Sequence, residues 1–159
     1  SGPNGSGKTT LLKIVTGQIV PQSGLVALSV PFALLDQHLQ LIDPALSLRD
    51  NFCHLNPLAD PHIAHAALAK FGCRAADALR YAKELSGGER LRAGLACALG
   101  ATPPPPLLIL DEPTNHLDLD GITALDAALA AYDGAVLAIS HDTAFLESLA
   151  PDRTIDLGG

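Results

Sequence analysis

The chain opens with Gly2-Pro3-Asn4-Gly5-Ser6-Gly7-Lys8-Thr9, the pattern G-x-x-x-x-G-K-[ST] of a phosphate-binding loop. Each fixed residue answers a physical need. The glycines let the backbone wrap closely enough for its N–H groups to point at phosphate oxygens. Lys8 supplies positive charge to the outer phosphates, and the Thr9 hydroxyl can ligate Mg²⁺. The helix that follows aims its positive end at the same anion. Such a loop is launched from a buried strand and runs into a helix, so it commits the chain to an α/β architecture. Only Ser1 precedes Gly2. The sequence is therefore expected to be truncated at its N-terminus, a piece of a larger protein.

A length of 159 residues is ordinary for one domain with a proper core. With 48% hydrophobic and 17% charged residues, the balance is that of a globular chain. The apolar runs fall short of a membrane span, and no secretory signal precedes the loop. A soluble, cytoplasmic protein without membrane insertion is expected. Cys53, Cys73 and Cys97 are odd in number and lack C-x-x-C spacing, which argues against a disulfide framework or a zinc site. His62 and His65 lie three apart on an expected helix but have no carboxylate or cysteine partner nearby, so they read as a solvated face. Ten Lys/Arg against 17 Asp/Glu give a net charge of −7, and no basic run appears. A direct nucleic-acid site in this segment is not expected.

Periodicity places the elements. Thr9–Thr16 reads as a helix ended by Gly17, with Leu11, Ile14 and Val15 at helical spacing. A turn at Pro21–Gly24 leads to an expected short strand near Leu25–Leu28, and Phe32–Gln37 to a second. Residues 45–80 are Ala- and Leu-rich, with helices expected near Leu46–Phe52 and His62–Phe71 and breaks at Pro57, Pro61 and Gly72. A further helix opens at Ser86-Gly87-Gly88 and carries the stripe Leu91, Leu95, Ala98 and Leu99. Pro103–Pro106 reads as a stiff connector, because proline removes ladder donors. Leu107–Leu110 and Ala135–Ile139 are continuous apolar runs that suit strands covered on both faces. Between them lies a helix marked by Ile122, Leu125 and Leu129, and Thr143–Leu149 closes the series. Strands alternating with helices predict a mainly parallel sheet flanked by helices, with an inserted helical subdomain. The expected division is an ATP-binding core of residues 1–36 and 101–159 and a helical subdomain of about 37–100.

Three further groups carry chemistry. Asp111 and Glu112 follow directly on Leu107–Leu110, at the carboxyl end of a buried strand where ligands of open α/β sheets collect. Asp111 is placed to hold Mg²⁺, directly or through water, and Glu112 to orient and polarise an attacking water. His141, just past the strand Ala135–Ile139, shares that sheet edge, within reach of a γ-phosphate. Leu85-Ser86-Gly87-Gly88-Glu89 is a second glycine-rich turn at a helix start, with its own unpaired N–H donors. One nucleotide does not need two such cradles from one subunit. The second one is expected to close over a nucleotide held by another domain.

Taken in order, Gly2–Thr9, Gln37, Leu85–Glu89, Leu107–Glu112, Asn115–Asp118 and His141 resemble the nucleotide-binding domain of ATP-binding cassette (ABC) proteins, and the likeness spans nearly the whole chain. In that family they correspond to Walker A, Q-loop, signature, Walker B, D-loop and switch histidine. The resemblance implies a P-loop NTPase fold and Mg²⁺-dependent ATP hydrolysis. It implies ATP contacts from Gly2, Pro3, Asn4, Gly5, Ser6, Gly7, Lys8, Thr9, Thr10 and Gln37, with Thr9, Gln37 and Asp111 addressing the metal. Glu112 becomes the catalytic base and His141 the γ-phosphate sensor. Ser86, Gly87, Gly88 and Glu89 form the signature that meets ATP in trans across a head-to-tail pair, and Asp118 links the two sites. Within the family, Asp111-Glu-Pro-Thr-Asn-His-Leu-Asp118, Leu35-Asp-Gln-His38 and Ile139–Leu146 resemble the soluble ABC-F proteins, in particular the second cassette of a tandem chain. That resemblance implies a second cassette as partner, in the same chain or as a dimer. It also implies action on the ribosome during translation through regions outside this segment. The aromatic platform for adenine is absent from the sequence. Two rival readings remain at this stage: the ATPase subunit of a membrane transporter, and a regulatory module that binds ATP without turning it over.

Overall fold

The computed structural model describes residues 7–115 and 117–157. Three parallel strands form the sheet, β1 (Phe32–Leu35), β2 (Leu107–Asp111) and β3 (Ala135–Ile139), in the order β1-β2-β3. Leu35 stands opposite Leu110, and Asp111 opposite Ile139, so the C-terminal ends of all three strands lie along one edge. Around the sheet run α1 (Lys8–Val15), α2 (Leu48–Leu55), α3 (Pro61–Lys70), α4 (Gly87–Leu99), α5 (Leu119–Ala130) and α6 (Thr143–Ser148). Two short 3₁₀ turns, Ala75–Leu79 and Ala82–Glu84, lie between α3 and α4.

The alternation of side chains along β2 sorts the core. Leu108 and Leu110 join Leu35, Leu91, Leu95, Leu125 and Phe145 on the face covered by α4, α5 and α6. Ile109 points the other way and meets Leu12 of α1 and Ile139. A second core gathers Ile42, Leu48, Phe52, Leu68 and Leu85 among α2, α3 and α4. Helix α4 belongs to both: Ala93, Ala96 and Cys97 face the helical core, while Leu91, Leu95 and Ala98 face the sheet. Its small residues allow close approach on both sides. Gly100 at its end is packed so tightly that a Cβ there would stand 2.7 Å from Phe52 and 2.9 Å from the Ala67 methyl.

Local chemistry fixes where the helices begin. Ser47, Asp60, Asp118 and Asp142 each accept backbone N–H bonds from the first turn of α2, α3, α5 and α6, and Pro61 occupies the first position of α3. Ser86 and Glu89 form a reciprocal capping box on α4. Helix α1 differs. It starts from Gly7 in the left-handed region (φ 88°), which has no side chain to cap it.

Two expectations need correction. Leu25–Leu28 forms no strand; the segment is irregular and Leu25 is exposed. No strand among the described residues offers it a ladder, and an isolated extended segment has no stability of its own. Ala135–Ile139 is a strand but is not covered on both faces: Ala135, Val136 and Leu137 are exposed. Among the described residues β3 is an edge strand, and only Ala138 and Ile139 reach the packed clusters. Helix boundaries elsewhere shift by one to three residues from the sequence reading.

Candidate nucleotide site

The strand ends and the start of α1 bring three reactive side chains together. Lys8, the first residue of α1, is buried, and its Nζ lies 3.5 Å from Glu112 Oε1. Glu112 Oε2 lies 2.7 Å from His141 Nδ1 and accepts the His141 backbone N–H at 3.3 Å. A carboxylate acceptor places the proton on Nδ1 and fixes the ring's orientation. Glu112 is largely enclosed, whereas more than half of the His141 side chain is open to solvent. Glu112 takes φ 50°, a conformation that costs a non-glycine residue energy. Its N–H donates to the Ile139 carbonyl at 2.8 Å, continuing the β2–β3 pairing one residue past Asp111.

Asp111 beside it is buried, and its Oδ1 has no hydrogen-bond partner among the described residues. Burial first, then the Glu112 and Asp36 carboxylates, push its pKa up, against the opposing pull of Lys8 and Lys13. A carboxylate oxygen left orphaned at a strand end is costly unless a cation completes it. The donor set suits Mg²⁺: a hard oxygen from Asp111 and the hydroxyl of Thr9, exposed in the first turn of α1. Thr10 follows on the same turn, also exposed. Gln37 stands exposed two residues beyond β1, on the same sheet edge but outside the Lys8–Glu112–His141 cluster. Gly2, Pro3, Asn4, Gly5 and Ser6 lie outside the described residues, as does His116.

The second glycine turn sits at the start of α4. Ser86 Oγ accepts the Glu89 N–H (3.3 Å), and Glu89 Oε2 accepts the Ser86 N–H (2.8 Å). That bond and the Arg80 guanidinium hold the Glu89 carboxyl down to about 2. Gly88 presses against the start of α5, where an added Cβ would stand 2.8 Å from Asp118 Oδ1 and 3.5 Å from the Gly121 Cα. Asp118 is itself fixed by accepting the Gly121 N–H at 2.8 Å. The structure thus seats the Ser86–Glu89 turn on the Asp118 segment. Sequence reasoning missed this contact, along with Arg80; the pair of small residues Gly88 and Gly121 was the one available signal.

The profile of the ABC transporter family matches residues 1–115. The chain belongs to the ABC family. It is 37% identical to the ATP-binding protein Uup of Escherichia coli K12, over 99% of the chain and 26% of that protein. It is 37% identical to the ABC transporter ATP-binding protein ARB1 of Saccharomyces cerevisiae, over 95% of the chain and 25% of the relative. These relatives are ABC-F-type ATP-binding proteins. The cassette therefore spans about a quarter of the length of the curated relatives it matches. Its fold matches the dimeric bacterial ABC transporter cassette MJ0796 with a TM-score of 0.79 at 23% identity, over 99% of this chain and 78% of that one. A post-hydrolysis MJ0796 dimer bound to ADP and Pi matches with a TM-score of 0.73 at 23% identity, over 93% and 74%. The ABC ATPase cassette fold, a P-loop NTPase sheet flanked by helices, is thereby shown. No helix among the described residues is long and apolar enough to cross a membrane.

Proposed function

We propose that this chain is the ATP-hydrolysing cassette of an ABC-F protein and that it works head to tail with a second cassette. The observation that carries the hydrolytic part is the Glu112 carboxylate, held between Lys8 and His141 beside an Asp111 oxygen with no partner among the described residues. Lys8 and the amides that open α1 bind the outer phosphates, and Asp111, Thr9 and Gln37 would hold Mg²⁺. The ion would supply charge neutralisation to the phosphates. Without nucleotide, Glu112 serves as the counter-charge of Lys8; a triphosphate takes over that contact and releases the carboxylate toward water. Glu112 then orients the water and accepts its proton as the oxygen bonds to the γ-phosphorus and the β–γ bridge oxygen leaves with ADP. His141 keeps Glu112 aligned and addresses the γ-phosphate.

Residues 1–36 and 101–159 form the ATP-binding core in this reading, and residues 37–100 the subdomain that presents Ser86–Glu89 to the nucleotide of the opposite cassette. Asp118, against which Gly88 rests, links the two sites. The ABC-F character of the relatives supports a cytoplasmic, ribosome-associated role in translation and a place as the second cassette of a tandem chain. In the full-length protein, Glu112→Gln keeps ATP binding and slows turnover roughly 10²–10⁴-fold. Steady-state phosphate release, read beside nucleotide binding, tests this; unchanged turnover removes Glu112 from the chemistry. Co-sedimentation of the ATP-loaded variant with ribosomes tests the cellular role, and recovery with membranes alone overturns it.

A further inference from the structure

The Ser86–Glu89 turn contains a contradiction. It offers backbone donors at the positive end of α4, yet Glu89 puts a carboxylate into the same first turn. The capping box uses the Ser86 and Glu89 N–H groups, so Gly87 and Gly88 carry the donors with no intrahelical acceptor. An uncompensated negative charge beside them opposes any approaching triphosphate and cancels the helix end.

Arg80 resolves it. Its Nη1 lies 2.9 Å from Glu89 Oε1 and 3.1 Å from Asp77 Oδ1, and its Nη2 donates to the Glu84 carbonyl at 3.1 Å. One planar fork therefore grips the chain immediately before Leu85 and again immediately after Gly88. The base of the fork is fixed as well. The Arg80 carbonyl accepts the Leu48 N–H at the start of α2, the Arg80 N–H donates to the Asp77 carbonyl, and Asp77 Oδ2 accepts the Arg74 N–H. A lysine carries the same charge but not the two-pronged geometry.

We propose that Arg80 is a positioning residue for the signature turn: it fixes both ends of Leu85–Glu89 and offsets the Glu89 charge, so that the Gly87 and Gly88 amides are held facing the opposing cassette's triphosphate. The proposal rests on the reading above in which this turn closes over the partner's nucleotide. Arg80 touches none of Lys8, Asp111, Glu112 or His141, so it acts on ATP-driven closure rather than on the chemical step.

The test is ATP-dependent turnover of the full-length protein across a range of ATP concentrations. Arg80→Ala raises the ATP concentration for half-maximal turnover about 3–10-fold, the loss expected for a partly exposed charge-assisted clamp. Arg80→Ala combined with Glu89→Gln recovers the part of that loss due to the bare charge, because glutamine keeps the capping bond to Ser86 without the charge, and leaves the about 2–3-fold that loss of the fork costs. Arg80→Lys shifts half-saturation the same way by about 2–3-fold, since it keeps the charge but loses the fork, and it carries the test if the alanine variant does not fold. A double variant no better than Arg80→Ala, or single variants that behave as wild type, overturns the proposal. Ser86→Arg in the same assay separates the two readings: abolished hydrolysis supports the trans role of the turn, and wild-type hydrolysis overturns that role whatever Arg80 does.

Discussion

Glu112 takes a left-handed backbone conformation that a non-glycine residue keeps only when its surroundings impose it, and here Lys8, His141 and the Ile139 carbonyl do so. Its neighbour Asp111 shows the opposite economy, with one carboxylate oxygen buried and unpartnered among the described residues. Asp111→Asn keeps the shape of that side chain and removes the charge that burial penalises. The variant is expected to fold at least as well as wild type while its Mg²⁺ affinity falls roughly 10–100-fold. Chemical denaturation together with a Mg²⁺ titration of turnover checks both halves; full Mg²⁺ dependence in the variant contradicts the assignment. That Asp111 and His141 share a sheet edge was legible, because one ends an apolar strand and the other lies just past a second. The Glu112–His141 bond was not, since it depends on the φ of Glu112. Nor was the Arg80–Glu89 pair, which joins a residue between the two 3₁₀ turns to one on α4 with no spacing rule to announce it.

Among the elements, helix α4 decides most. Buried on two sides, it joins the helical core to the sheet and carries the signature turn at one end and Gly100 at the other. Gly100 is not there for backbone freedom, as its φ of −77° suits any residue. Space is the reason: a methyl group would collide with Phe52, with Ala67 and with the Ala96 carbonyl. Gly100→Ala is therefore expected to destabilise the fold by about 1–3 kcal/mol, the usual cost of overpacking a tight core. The midpoint of urea unfolding of the full-length protein measures it, and an unchanged midpoint contradicts the packing described. Helices were readable because their apolar spacing is local; the caps Ser47, Asp60, Ser86, Asp118 and Asp142 are local signals too, and the expected start at Leu46 overran the Ser47 cap. Strands were harder, because a strand is defined by its neighbour. Leu25–Leu28 has strand-like composition but no ladder partner, and β3 has an apolar run but a solvent-exposed face.

For the molecule as a whole, two different helices start at glycines proposed to bind phosphate, α1 from Gly7 and α4 at Gly87. One start, at α1, has no cap from Gly7 itself and adjoins Lys8 and Glu112. The other, at α4, is capped by Ser86 and Glu89, braced by Arg80 and seated on Asp118 and Gly121. Their separation within one chain fits the proposal that each serves a different nucleotide of a pair. The most direct measurement is a structure of the full-length Glu112→Gln protein trapped with ATP and Mg²⁺. The account predicts a triphosphate held by Lys8 of this cassette and covered by the second cassette's glycine turn, with Ser86 and Gly88 covering the other nucleotide in return. ATP bound wholly within one cassette, with Ser86 and Gly88 open to solvent, would contradict it.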